Sequence, residues 1–264
     1  MATGDEVRAP RSRSSMTGNS SPTIKAARAP DLTAFWSCPL TLVSVRGRST
    51  LYPWSRRAEA MAAHPKLGRD WATVNPLVFE CNDGYLNDIR ALAVTEEHYR
   101  TALASSSADF AQGSVGAGRG MSAFELKGGI GTASRRAGDY TVGSLALANF
   151  GRLEALTLAG HPLGRKLTER KKRNEEPEKG SIIMLLATDA PLDARQLRRL
   201  ALRAGAGLAR TGSAFGHGSG DIALAFSTAY TVPHLSTKPM PALAMLHETR
   251  LDPLFYAAAD ATEQ

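Results

Sequence analysis

Ser181 is the hydroxyl best placed in this sequence to do covalent chemistry. A charged run, residues 165–180, leads into Gly180-Ser181, and the apolar run Ile-Ile-Met-Leu-Leu-Ala follows at 182–187. Gly180 has no side chain to shield its carbonyl. If Ser181 attacks that carbonyl, the peptide shifts to an ester that water can hydrolyse. The new chain then begins at Ser181 with a free α-amine. Such an amine titrates at about 7.7–8.0, so it can take the hydroxyl proton at neutral pH. A hydroxyl paired with a terminal amine is a variant of the triad logic. Spacing alone leaves an ordinary loop–strand junction open, because a Gly-Ser step before a strand is common.

Other chemistries fit less well. The glycine cluster at 113–131 lacks the G-x-x-x-x-G-K-[ST] order, since Lys127 precedes its glycines. It also fails the dinucleotide fingerprint, because Gly116 and Gly118 are followed by Met121. Glycines here suit close backbone approach and main-chain donors facing a substrate. The six histidines are scattered, and His247-Glu248 has no second His at metal spacing. No metal and no cofactor is therefore expected. No G-x-S-x-G elbow is present, although a Ser-His-Asp triad is recognised by geometry and stays open. The two cysteines, Cys38 and Cys81, read as unrelated thiols.

The elements that must position Ser181 form a layered α/β pattern. Residues 182–187 have the length and apolarity of a strand buried on both faces. Pro76 to Glu80, Tyr140 to Val142, Leu145 to Ala148, Leu156 to Ala159 and Ile222 to Phe226 also read as strands. Asn82-Asp83-Gly84 is a turn signal. Thr95 opens one helix. A second helix begins near Asp189 and carries Leu197, Leu200, Ala201, Ala204 and Leu208 at helical spacing. Asp252-Pro253 begins a last helix. The run 165–180 is too charged to bury itself and reads as an exposed loop. Residues 1–50 show no sustained period and read as a poorly ordered arm.

The net charge of +7 raises nucleic acid as a partner. The basic residues lack interleaved aromatics and accompany no helix-turn-helix or zinc-finger pattern, so they read as solvated surface. No apolar run reaches the roughly 18 residues needed to span a bilayer. The expectation is a cytoplasmic protein engaging neither membrane nor nucleic acid.

Longer blocks carry a resemblance. The segment 180–192, Gly-Ser-Ile-Ile-Met-Leu-Leu-Ala-Thr-Asp-Ala-Pro-Leu, is similar to the start of the β-chain in the self-cleaving L-aminopeptidase/D-esterase family. That family includes the DmpA-type and β-peptidyl aminopeptidases. Blocks 80–88, 116–121, 127–135, 140–143, 149–151, 160–164, 199–213 and 218–228 resemble it too. The resemblance covers about residues 75–264. It implies an αββα sandwich like that of the N-terminal nucleophile hydrolases. It implies Gly180/Ser181 as the autocleavage step and Ser181 as nucleophile. By the same resemblance, Ser219 and Asp221 orient Ser181 or its amine, and Asn149 supplies an oxyanion-hole amide. Tyr85 lines the site and helps hold the tetrahedral oxygen. Glu125, Lys127 and Arg135 receive no role. Substrates would be short peptides, amides or esters, and processed αβ units would form a homo-oligomer.

The resemblance divides the chain into an atypical arm (1–50), an α-chain part (51–180) and a β-chain part (181–264). The early strands of the family are not recognisable in residues 1–50, and the last helix stops at Gln264. An atypical or incomplete N-terminal part is thus expected. A truncated, catalytically silent relative is the alternative to a self-processing serine aminopeptidase. The related ornithine acetyltransferases use Thr, which Ser181 disfavours.

Overall fold

The computed structural model describes residues 40–43, 77–91, 93–105, 107, 109–169, 180–230 and 242–264. The strands in chain order are β1 (Leu40–Val43), β2 (Leu77–Glu80), β3 (Ser122–Ala123) and β4 (Leu126–Lys127), then β5 (Gly129–Ala137), β6 (Tyr140–Asn149), β7 (Ser181–Thr188) and β8 (Gly220–Ser227). The helices are α1 (Glu96–Ala104), α2 (Leu163–Thr168), α3 (Ala194–Arg210) and α4 (Asp252–Glu263).

Strands β5 to β8 form one sheet in sequence order. β5, β6 and β7 pair antiparallel, and β8 joins β7 in parallel. A parallel pair needs a crossover, and α3 supplies it. The unbroken apolar run of β7 follows from burial on both faces. Ile182, Met184 and Leu186 meet the helices, while Ile183, Leu185 and Ala187 face the opposite side.

On the helix side, Leu200, Ala204 and Leu208 of α3 pack with Leu254 and Ala258 of α4. Each fully buried leucine contributes about 1.5–3 kcal/mol. α3 starts in a capping box: Gln196 N–H donates to Asp193 at 2.7 Å, and Asp193 N–H donates to Gln196 Oε1 at 3.2 Å. A cap of this kind is worth about 1 kcal/mol. On the opposite face, Phe79, Cys81 and Met121 cover Leu145, Leu147, Ile183 and Leu185. β2, which carries Phe79, pairs in parallel with β1. The described residues thus stack helices on the four-stranded sheet and the β2 layer beneath it, an α/β sandwich.

Several local expectations are corrected. The two pieces expected at 140–142 and 145–148 are one strand, β6, running through buried Gly143 and Ser144. Residues 156–159 form no strand: Ala159 has positive φ, and Leu158 pairs only with His161 in an isolated bridge. The charged run begins within α2, and residues 170–179 lie outside the described residues. The helix expected near Asp189 begins at Ala194, where the capping box forms. Of the segment 1–50, the described part is β1. No helix among the described residues is long and apolar enough to cross a membrane.

Candidate active site

The sheet sets three residues in one row. Asn149 ends β6 opposite Ser181, the first residue of β7, and Ser181 lies opposite Gly220, the first residue of β8. Gly180 sits just outside the sheet, buried against β6. A Cβ at position 180 would lie 2.5 Å from the Asn149 carbonyl oxygen and 2.8 Å from Phe150 Cα. Only glycine fits there without moving the backbone.

The Ser181 hydroxyl is half-buried and donates to the Gly180 carbonyl oxygen at 2.6 Å. Gly220 N–H lies 3.3 Å from both Ser181 Oγ and the Gly180 carbonyl oxygen. The hydroxyl and the carbonyl it could attack are therefore neighbours, and one main-chain donor serves both. Gly220 also clears the space, since a Cβ there would stand 3.2 Å from Ser181 Oγ.

Asn149 is 4% exposed, and its amide is oriented from two sides. Ser122 N–H donates to Oδ1 at 2.8 Å, and Nδ2 donates to the Asn82 carbonyl at 2.8 Å. That assigns the amide without ambiguity. Nδ2 carries a second hydrogen beyond the one it gives to Asn82. Asn82 is held in turn by its own turn, where Gly84 N–H donates to Asn82 Oδ1 at 3.0 Å.

Beneath Ser181 lies Cys81, 1% exposed, its thiol 3.6 Å from the Ser181 carbonyl oxygen and 3.9 Å from that of Leu147. Burial pushes this thiol up to about 12, helped by the negative charges of Asp221 and Glu80 and opposed by an N–H from Ile183. It is a neutral packing and hydrogen-bonding group at neutral pH.

The remaining expected residues are placed differently. Ser219 donates to Asp221 at 2.7 Å, and the two flank Gly220. Neither is hydrogen-bonded to Ser181 among the described residues. Tyr85 is 71% exposed on the turn after Asn82. The structure thus sets Asn149, Ser181 and Gly220 in one row with Gly180 just outside it, and no hydrogen bond among the described residues joins Ser219, Asp221 or Tyr85 to Ser181. Among the described residues no three His, Cys, Asp or Glu side chains converge to hold a metal ion.

Sequence reasoning missed Gly220, Cys81, Asn82 and Ser122. Three of them act through main-chain atoms, which leave no mark in residue identity. Cys81 had a signal only in its neighbours, since it directly follows β2.

A model of peptidase family S58 matches residues 41–264. The β-peptidyl aminopeptidase BapA of Sphingosinicella microcystinivorans is 40% identical over 212 residues, 74% of this chain and 53% of that protein. The PH0078 protein from Pyrococcus horikoshii OT3 superposes with a TM-score of 0.76 at 44% identity, covering 88% of this chain and 66% of that one. The L-aminopeptidase D-Ala-esterase/amidase from Ochrobactrum anthropi, a prototype of the serine aminopeptidases with a variant Ntn hydrolase fold, gives 0.70 at 39% identity. It is covered over 57% of its length, and this chain over 78%. The chain spans about half the length of the curated relatives it matches. The expected N-terminal nucleophile hydrolase architecture is therefore the fold of this chain. By its matched length and its identity to these relatives, the chain belongs to peptidase family S58.

Proposed function

We propose that this chain is a self-processing serine aminopeptidase that releases N-terminal residues from short peptides, amides or esters. One observation carries the reading: the Ser181 hydroxyl lies against the Gly180 carbonyl at the mouth of β7, with Gly220 N–H donating to both. Attack forms an Oγ–C bond, the Gly180–Ser181 C–N bond breaks, and the Oγ proton passes to the departing nitrogen. Water then hydrolyses the ester, leaving a Gly180 carboxylate, a restored hydroxyl and a free Ser181 amine. That amine becomes the base for turnover. Substrate acylates Ser181, its amine leaves with the proton, and water releases the acyl group. Asn149 Nδ2 donates to the oxyanion, a contribution typically of about 2.7–4 kcal/mol. The Ser219–Asp221 pair orients the new amine, and Tyr85 lines the substrate side. The two products of the cut, residues 1–180 and 181–264, assemble as αβ units in a homo-oligomer.

The test is the intact mass of the purified protein beside a Ser181→Ala control. Two fragments meeting at Gly180/Ser181, absent from the control, are expected. A single uncut chain in both samples would overturn the reading and favour a catalytically silent relative.

A further inference from the structure

Lys127 is not aimed at Ser181, yet its ammonium is fully committed. Nζ donates to three main-chain carbonyls: Gly118 at 2.7 Å, Gly128 at 2.8 Å and Met121 at 3.0 Å. An ammonium has three donors, so these use all of them. The Met121 carbonyl belongs to the same peptide unit as Ser122 N–H. That N–H donates to Asn149 Oδ1 at 2.8 Å. A continuous chain of donors and acceptors therefore runs from a positive charge to the Asn149 amide. Gly128 N–H, at 2.9 Å from the Met121 carbonyl, adds a second donor at the same link.

The local backbone holds this arrangement at a cost. β3 and β4 form a hairpin that pairs Ser122 with Lys127, so the lysine folds back over the peptide it contacts. The two residues of its turn, Phe124 and Glu125, both have positive φ, 51° and 59°. Glycine or asparagine ordinarily supplies that conformation. Phe124 is anchored instead by an edge contact with Phe150, ring centroids 5.0 Å apart, one residue beyond Asn149. Backbone kept in a sparsely populated region points to a position that matters.

Resting on the proposed function, we infer that Lys127 is a positioning residue: through the Met121–Ser122 peptide it fixes and polarises the Asn149 amide as an oxyanion donor. Hydrogen bonds in series polarise one another, and a charge at one end strengthens the donor at the other. Lys127 touches no reacting atom. Its effect belongs in the chemical step and not in substrate binding.

The test compares wild type with Lys127→Met and Lys127→Arg, using L-alanine and β-alanine p-nitroanilides. Lys127→Met is expected to lower kcat by about tenfold or more with KM little changed, and Lys127→Arg to restore most of it. Met keeps the stem and removes charge and donors, while Arg keeps both. Unchanged kcat in Lys127→Met would overturn the inference. So would a loss that Arg fails to rescue and that merely follows a fall in folded fraction. A wild type that neither cleaves itself nor turns over would instead sink the proposed function. Hydrogen exchange at the Ser122 amide then decides the Lys127 inference: faster exchange in Lys127→Met supports it, and unchanged protection refutes it.

Discussion

At the scale of single residues, the clearest physical signature outside the nucleophile is Cys81. Its thiol is pushed from an ordinary value near 9 to about 12, chiefly by burial and next by the charge of Asp221. The unfolded chain loses this proton first. Below pH 9 both states hold it, and the group has no effect on the pH dependence. Between pH 9 and 12 the native state binds more protons, so stability falls as pH rises, by at most about 1.4 kcal/mol per unit. Urea melts at pH 8, 9.5 and 10.5 should show that slope, and Cys81→Ala should remove the difference. The melts belong in the Ser181→Ala background, where unfolding stays a one-chain process. Equal slopes with and without the thiol would contradict the prediction. The sequence marked the Gly180–Ser181 junction, where a charged run meets an apolar one, but its spacing alone left an ordinary loop–strand junction open there. It could not show what surrounds Ser181. Asn149 is oriented by Ser122 N–H and the Asn82 carbonyl, and every residue type but proline offers both groups.

At the scale of elements, close approach decides more than propensity. In α3, a Cβ on Gly207 would stand 2.2 Å from the Ala259 carbonyl of α4. Among the described residues, a Cβ on Gly205 would meet the Phe215 ring at ordinary contact distance, 3.5 Å from Cζ and 3.7 Å from Cε1. The same substitution should therefore have opposite signs two residues apart. Gly207→Ala should destabilise by about 1–3 kcal/mol through overpacking. Gly205→Ala should stabilise by up to about 1 kcal/mol through helix propensity. Thermal or urea denaturation of both variants checks this, and a shared sign would refute the packing argument. β7 and α3 were legible because both are long and regular, one unbroken and apolar, the other of period 3.6. β6 was read as two pieces because Gly143 and Ser144 resemble a turn. In the sheet both are buried, and the Ser144 hydroxyl meets Thr262 Oγ1 of α4 at 3.2 Å. A small residue at Ser144 lets the helix approach; it does not break the strand. Leu156 to Ala159 failed in the opposite way, since an apolar run without a partner strand has no ladder to join.

At the scale of the whole molecule, the proposed cut falls between two strands that stay paired. β6 lies before Gly180 and β7 begins at Ser181, and their register runs over eight residue pairs, from Val142–Thr188 to Asn149–Ser181. β7 is buried on both faces, so release of the second fragment would expose Ile182 to Ala187 on two sides at once. Burial of that extent, about 1.5–3 kcal/mol for each large apolar side chain, holds the halves together after the peptide bond opens. Cleavage should therefore leave a single particle. On size exclusion without denaturant, the two fragments are expected to elute together, with the profile of the uncut Ser181→Ala chain. In urea they should separate. Fragments that part under native conditions would mean that β6 and β7 do not hold the pairing described here once the backbone is opened. Co-elution would give the self-cut its physical meaning: the sheet keeps Ser181 in the row between Asn149 and Gly220 while its nitrogen changes from an amide into a base.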